Sequence, residues 1–355
     1  MCRWFAYISP SEPTLLADVL ITPSNAITKQ CSEHYLPYLL PHGEEKELDD
    51  APDELLRMRN SLLNMDGLGV AWYTPAAAAY TNKKSGMRPA LYKSQSPPTN
   101  DFNFRSLCEN TESICLFAHI RATSGSVVTP VNSHPFTFGR HTFMHNGVIS
   151  DFTRVRRDMT DLMAYDAYEN VRGSTDSEHA AAIYMTFLCG GLENCTKDAW
   201  EESYSLDSMR SALQATVVSI LEQQHETLGD KKTPSSLNFC ATDGTQLIAC
   251  RFRNSSSQQP PSLYWSEFAG RTLNRKYPGD PDGLRENTDQ NVGEEGRIGK
   301  HTIVASEPTT YDEKEWHLIG RNRILLVDAK GVETEVPLEY DEQRLNARVG
   351  GEKVM

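Results

Sequence analysis

Two stretches near the middle of this 355-residue chain are written as helices, with short strand-like runs before and after them. Thr175 and Glu178 form a capping box; Ala180, Ile183, Tyr184, Phe187 and Leu188 follow at helical spacing, and Gly190-Gly191 stops the run. A second run over 208–228 carries Leu213, Val217, Ile220 and Leu221 on one stripe and ends at Gly229. Residues 3–9, 69–74, 114–122, 141–145 and 237–242 are short, rich in β-branched or aromatic residues, and bounded by turn formers. Asp243-Gly244 predicts a two-residue hairpin turn between 237–242 and 246–253, and Ala329-Lys330-Gly331 a second turn between 324–328 and 332–336. Strands in blocks around two central helices predict an α+β layered protein with antiparallel sheets, not an alternating βαβ fold.

Three stretches read as surface insertions: the acidic 42–54, 75–89 with its alanine run, and 277–299, which is rich in Gly, Asp, Asn and Glu. None reads as a linker. One domain over 1–340 is therefore expected, followed by a polar tail over 341–355 that frays.

With 35 Lys+Arg against 48 Asp+Glu, the net charge of −13 disfavours nucleic acid as a partner. No run approaches the roughly 18 apolar residues that a membrane span requires. Pro10, Glu12, Pro13 and Asp18 break the apolar start before a signal-peptide core can form. The eight cysteines are scattered without a C-x-x-C pair, as expected of reduced thiols in a cytoplasmic protein. His119, His134, His141 and His145 have no compact ligand spacing, so no metal is expected. Neither a P-loop nor a dinucleotide fingerprint is present, so no cofactor is expected.

Cys2 is the most informative single residue. Removal of Met1 would leave a thiol of reference pKa about 8.5 on the same residue as an α-amine of about 7.7–8.0. Such an amine can take the thiol proton and return it to a leaving amine. Position alone is weak, because most second-position cysteines have no role. Alternation over 116–121 puts His119 and Arg121 on one face, and a guanidinium at the end of an apolar strand suits capture of a carboxylate. It equally suits a strand end that merely reaches solvent. Asn146-Gly147 is the favoured dipeptide of a type I′ hairpin turn. It could instead supply an amide and a backbone N–H to a developing oxyanion. Asp176 falls in the first turn of the capped helix, where the macrodipole favours an acid whether or not it meets a substrate ammonium.

Taken in order, these residues resemble the class II glutamine amidotransferases, which are N-terminal-nucleophile (Ntn) hydrolases. The matching elements are Met1-Cys2-Arg3, Asn64-Met65-Asp66-Gly67-Leu68-Gly69, His119-Ile120-Arg121, Asn132-Ser133-His134-Pro135-Phe136, Met144-His145-Asn146-Gly147 and Ser174-Thr175-Asp176-Ser177-Glu178. Ala241-Thr242-Asp243-Gly244 and Ala305-Ser306-Glu307-Pro308 are similar to the stand-alone branch, which acts on γ-glutamyl compounds in glutathione degradation and the ergothioneine pathway. The resemblance implies a four-layer αββα sandwich of two antiparallel sheets. It implies Cys2 as nucleophile, Asn146 and Gly147 as oxyanion donors, Arg121 on the substrate α-carboxylate and Asp176 on its α-ammonium. Ala122 stands where many members carry a Trp, and Thr123 is the substrate-binding candidate that follows. The implied activity is hydrolysis of a γ-glutamyl amide, glutathione or a related thiol peptide above all, with a metallopeptidase-like protein as partner. A glutaminase supplying ammonia to another protein, or a catalytically idle subunit of a peptidase complex, are the alternatives.

Overall fold

The computed structural model describes residues 2–30, 66–80, 86–122, 127–267, 299–310 and 313–347. Thr123, the stretch 42–54 and nearly all of 277–299 lie outside the described residues. The described residues hold fifteen strands: β1 (Arg3–Ile8), β2 (Thr14–Leu15), β3 (Gly67–Thr74), β4 (Arg88–Ser94), β5 (Glu112–Ser113), β6 (Cys115–Arg121), β7 (Phe136–Phe138), β8 (His141–Val148), β9 (Ser236–Thr242), β10 (Leu247–Arg251), β11 (Tyr264–Ser266), β12 (Thr302–Ala305), β13 (His317–Leu318), β14 (Arg323–Val327) and β15 (Glu333–Pro337). The α-helices are α1 (Leu16–Leu20), α2 (Phe102–Glu109), α3 (Phe152–Thr160), α4 (Tyr165–Asn170), α5 (Asp176–Leu188), α6 (Leu206–Leu228) and α7 (Glu342–Leu345). None of the described helices is long and apolar enough to cross a membrane.

Two sheets carry the architecture. One has the order β13-β11-β12-β1-β6-β3-β4 and the other β15-β14-β10-β9-β8-β7, with antiparallel pairing throughout. Alternation along each strand feeds two layers at once. Trp4, Ala6 and Ile8 of β1 meet Met144, Cys240, Leu247 and Ala249 between the sheets. Phe5 and Tyr7 turn the other way, towards Leu16 and Leu20 of α1 and Phe104 of α2. On the far side, Phe143, Phe239 and Ile248 pack against Ile183 of α5 and Leu213, Val217 and Ile220 of α6. Helix, sheet, sheet, helix is the four-layer αββα sandwich.

Both expected helices are present. Thr175 caps α5 by accepting a hydrogen bond from the Glu178 amide at 3.2 Å. Only half of the capping box forms, because the Glu178 carboxylate bonds the amides of Arg172 at 3.0 Å and Gly173 at 2.6 Å. It holds the loop leading into the helix instead of the cap residue itself. Helix α6 starts slightly early, at Leu206, because Ser205 caps it by accepting from the Ser208 amide.

Several readings of the sequence are revised by the structure, among them the turn alternative for Asn146-Gly147. Asn146-Gly147 is not a turn: both residues continue β8, paired with Asn238 and Leu237 of β9. The Asp243-Gly244 hairpin has a four-residue loop, since Thr242 pairs with Leu247. Asp243 closes that loop by accepting from the amides of Thr245 and Gln246. Residues 341–347 are not a loose tail. Leu345 of α7 is only 1% exposed in the layer under α6, and the Ala347 amide bonds the Asn254 carbonyl at 3.0 Å. One leucine among polar residues is enough to dock the segment. Within 75–89, Ala76–Tyr80 forms a 3-10 turn and Arg88 opens β4, so the expected insertion narrows to the hairpin between β3 and β4.

Candidate active site

Cys2 immediately precedes β1, and the pairing of Arg3 with Ile120 sets it beside the end of β6. The Ala122 amide donates to its sulfur at 3.3 Å, and the thiol faces the Ala122 carbonyl at 3.4 Å. Burial pushes the Cys2 thiol up, while the Ala122 backbone and the nearby Arg121 charge pull it the other way. A thiol in this position needs a base to become a nucleophile.

Asn146 and Gly147 reach the site from the facing sheet. Asn146 is buried, and its side-chain Nδ2 donates to Ser306 Oγ at 3.3 Å. The same hydroxyl accepts from the Trp4 amide at 3.0 Å, two residues after Cys2. Gly147 is exposed, with φ of +149°. A Cβ there would stand 2.0 Å from the Ser236 carbonyl oxygen, so a glycine is required by close approach as well as by conformation.

Arg121, at the end of β6, and Asp176, in the first turn of α5, supply the charged groups near Cys2. The Arg121 guanidinium is buried and donates to the Val127 carbonyl at 3.1 Å. Burial lowers its pKa, and the charges of Cys2, Asp66 and Asp176 oppose that shift. Asp176 Oδ2 accepts from the Ile149 amide at 2.8 Å, and its Oδ1 accepts from the Ser177 amide at 2.8 Å. Asn132 joins these two groups. Its Nδ2 donates to the same Val127 carbonyl at 2.9 Å, while its Oδ1 accepts from the Ser174 amide at 2.9 Å. The sequence carries no local signal for the roles of Asn132 and Ser306, because each acts through partners distant in the chain.

Behind Arg121 lies a neutral histidine pair. His119 and His134 stack with centroids 4.0 Å apart. His119 Nε2 donates to the His145 carbonyl at 3.2 Å. Burial pushes His119 down to about 3, and His134 falls well below the usual histidine range for the same reason. Gly69 makes room for this arrangement: a Cβ there would collide with the His134 carbonyl at 1.8 Å. His141 faces elsewhere, with Nε2 3.0 Å from the Glu202 carbonyl. Among the described residues, no group of three or more His, Cys, Asp or Glu side chains could hold a metal ion.

The arrangement therefore brings Cys2, Arg121 and Asp176 within electrostatic reach of one another, with Asn146 tied through Ser306 to the strand that follows Cys2. Comparison with known proteins gives the same direction. A family model described as glutamine amidotransferases class-II matches residues 56–346. The chain is 30% identical over 330 residues to the probable glutamine amidotransferase DUG3 of Saccharomyces cerevisiae, covering 92% of this chain and 82% of that protein. Its fold is similar to a glutamine aminotransferase class-II domain protein from Silicibacter pomeroyi, with a TM-score of 0.56 at 21% identity, covering 95% of this chain and 98% of that one. It is also similar to the allosteric regulatory enzyme of purine biosynthesis, with a TM-score of 0.51 at 11% identity over 96% of this chain and 50% of that one. These last two likenesses are of fold alone. The chain belongs to the class II glutamine amidotransferases, a family of amide-hydrolysing enzymes.

Proposed function

We propose that this chain hydrolyses γ-glutamyl amide bonds, in glutathione or a related thiol peptide, with Cys2 as nucleophile. After loss of Met1, the α-amine of Cys2 takes the thiol proton and the sulfur attacks the γ-carbonyl carbon. The oxyanion is met by the Asn146 amide and the Gly147 backbone N–H. Collapse breaks the C–N bond, the amine leaves with the proton, and a γ-glutamyl thioester remains on Cys2. Water then releases glutamate and restores the thiol. Arg121 holds the substrate α-carboxylate and Asp176 its α-ammonium, and Thr123 is the further substrate-binding candidate.

The observation that carries this proposal is the placing of a cation and an anion, Arg121 and Asp176, within electrostatic reach of each other and of Cys2, whose thiol pKa is raised by burial. A free α-amino acid end presents the matching pair of charges. The enzyme would work in the cytoplasm, where its thiols stay reduced; the seven described cysteines are free. Hydrolysis of glutathione leaves a dipeptide, and a metallopeptidase-like partner would be its consumer. Family membership favours a second reading, a glutaminase that supplies ammonia to another protein.

Glutamate release from glutathione and from glutamine, measured on protein whose intact mass shows loss of Met1, separates the two. Cys2→Ala should abolish release, by about a thousandfold or more, and leave the thermal midpoint unchanged. Full turnover in that variant would overturn the mechanism. Release mainly from glutamine would favour the ammonia-supplying role. Retention of Met1 together with silence on both substrates would favour an idle subunit.

A further inference from the structure

Ser306 lies just past β12, in a motif to which the chemistry above gives no task. It is 1% exposed, so water does not compete for its hydroxyl. The Ser306 amide donates to the Trp4 carbonyl at 2.9 Å, extending the pairing of Phe5 with Ala305 by one step. The Trp4 amide donates back, to the Ser306 side chain, at 3.0 Å. The second lone pair of that oxygen accepts from Asn146 Nδ2 at 3.3 Å. A serine hydroxyl has two acceptor positions, and both are filled from different sheets.

We propose that Ser306 is a positioning residue for the oxyanion hole. Its hydroxyl oxygen is anchored to β1, the strand that directly follows Cys2, and it fixes the rotation of the Asn146 amide on β8. One Nδ2 hydrogen is held by Ser306, which leaves the other to meet the substrate oxygen. The spacing between sulfur and oxyanion donor is thereby set by one side chain common to both. This role rests on the hydrolytic mechanism proposed above, in which Asn146 donates to the oxyanion.

The test is a double-mutant cycle on the methionine-processed full chain, with glutamate release from glutathione and glutamine as readout. Ser306→Ala should lower kcat roughly 10- to 100-fold and leave KM within about twofold, since the interaction it supports is made in the transition state. Ser306→Cys, nearly the same size but a weaker acceptor, should fall between the wild type and Ser306→Ala and serves if the alanine variant folds poorly. In an Asn146→Ala background, Ser306→Ala should cost less than about threefold more, because its route of action is already gone.

Wild-type kcat in both Ser306 variants, with Asn146→Ala impaired, would overturn the positioning role and leave the hydrolase intact. Full multiplication of the two losses in the double variant would also overturn it, because Ser306 would then act on the fold and not through Asn146. Unimpaired turnover in Asn146→Ala, or a wild type silent on both substrates, would remove the parent mechanism and this role with it.

Discussion

The layer beneath α5 and α6 and the layer between the two sheets are built on opposite terms. The first is apolar wherever Phe143, Phe239, Ile183, Leu213 and Ile220 meet, and all five are fully buried. The second begins the same way with Ile8, Ala6, Trp4 and Met144, then changes at one end to Asn146, Ser306, His119, His134 and Arg121. Buried polar groups destabilise unless partnered, and at that end several are not. Among the described residues, His119 Nδ1, both ring nitrogens of His134 and Ser133 Oγ find no hydrogen-bond partner. The helix-backed layer is thus apolar throughout this contact, while the candidate site stands at the end of the inter-sheet layer where polar groups replace apolar ones.

That separation can be broken from either side. The largest effect should come from Phe143→Ala, which empties a fully buried aromatic position in the helix-backed layer. It should cost about 3–5 kcal/mol in urea unfolding, while kcat per folded molecule stays close to wild type. A comparable loss of kcat would show that the two layers are coupled.

Gly147→Ala should act in the reverse sense. Its new Cβ meets the Ser236 carbonyl, displacing the backbone N–H assigned to the oxyanion. Turnover should fall about 100-fold, equivalent to about 2.7 kcal/mol of transition-state stabilisation. A variant with normal turnover would remove Gly147 from the mechanism.

The smallest effect is on acid stability. His119 titrates at about 3 when folded, against about 6.5 when unfolded. Between those values the unfolded chain binds the extra proton, so stability is lost as pH falls below about 6.5. From pH 7 to 5 this one residue should cost about 2 kcal/mol, with His134 acting in the same direction. His119→Gln, which cannot take the proton, should show a shallower fall in urea midpoint between the two pH values. An equal fall in both proteins would clear the histidine.

Much of the fold was legible because its signals are local. Alternation over 3–9 encodes the two-sided burial of β1, and Thr175 encodes the start of α5 within four residues. What escaped depends on distant partners. Asn146-Gly147 has a turn's composition, yet the conformation of Gly147 answers to Ser236 on the neighbouring strand. Glu178 bypasses its own cap because the preceding loop offers two amides. Leu345 docks against a helix more than a hundred residues earlier. In the site, Cys2, Arg121, Asn146 and Asp176 were legible as residue types in a recognisable order. The task of Ser306 was not, since its partner Trp4 is 302 positions away.

Asn132 gives the pocket one more property. The Val127 carbonyl holds Arg121 and Asn132 together, and Asn132 in turn holds the backbone that leads to Asp176. One chain of hydrogen bonds therefore links the cationic group to the segment that carries the anionic one. If Arg121 and Asp176 hold the substrate as proposed, a molecule with its amino acid head capped, or with one more methylene before its amide, would place its carbonyl out of register with Cys2. In the proposed binding mode, selectivity for the head group and reach to the sulfur become one dimension of the same frame, and loosening Asn132 should blur both together.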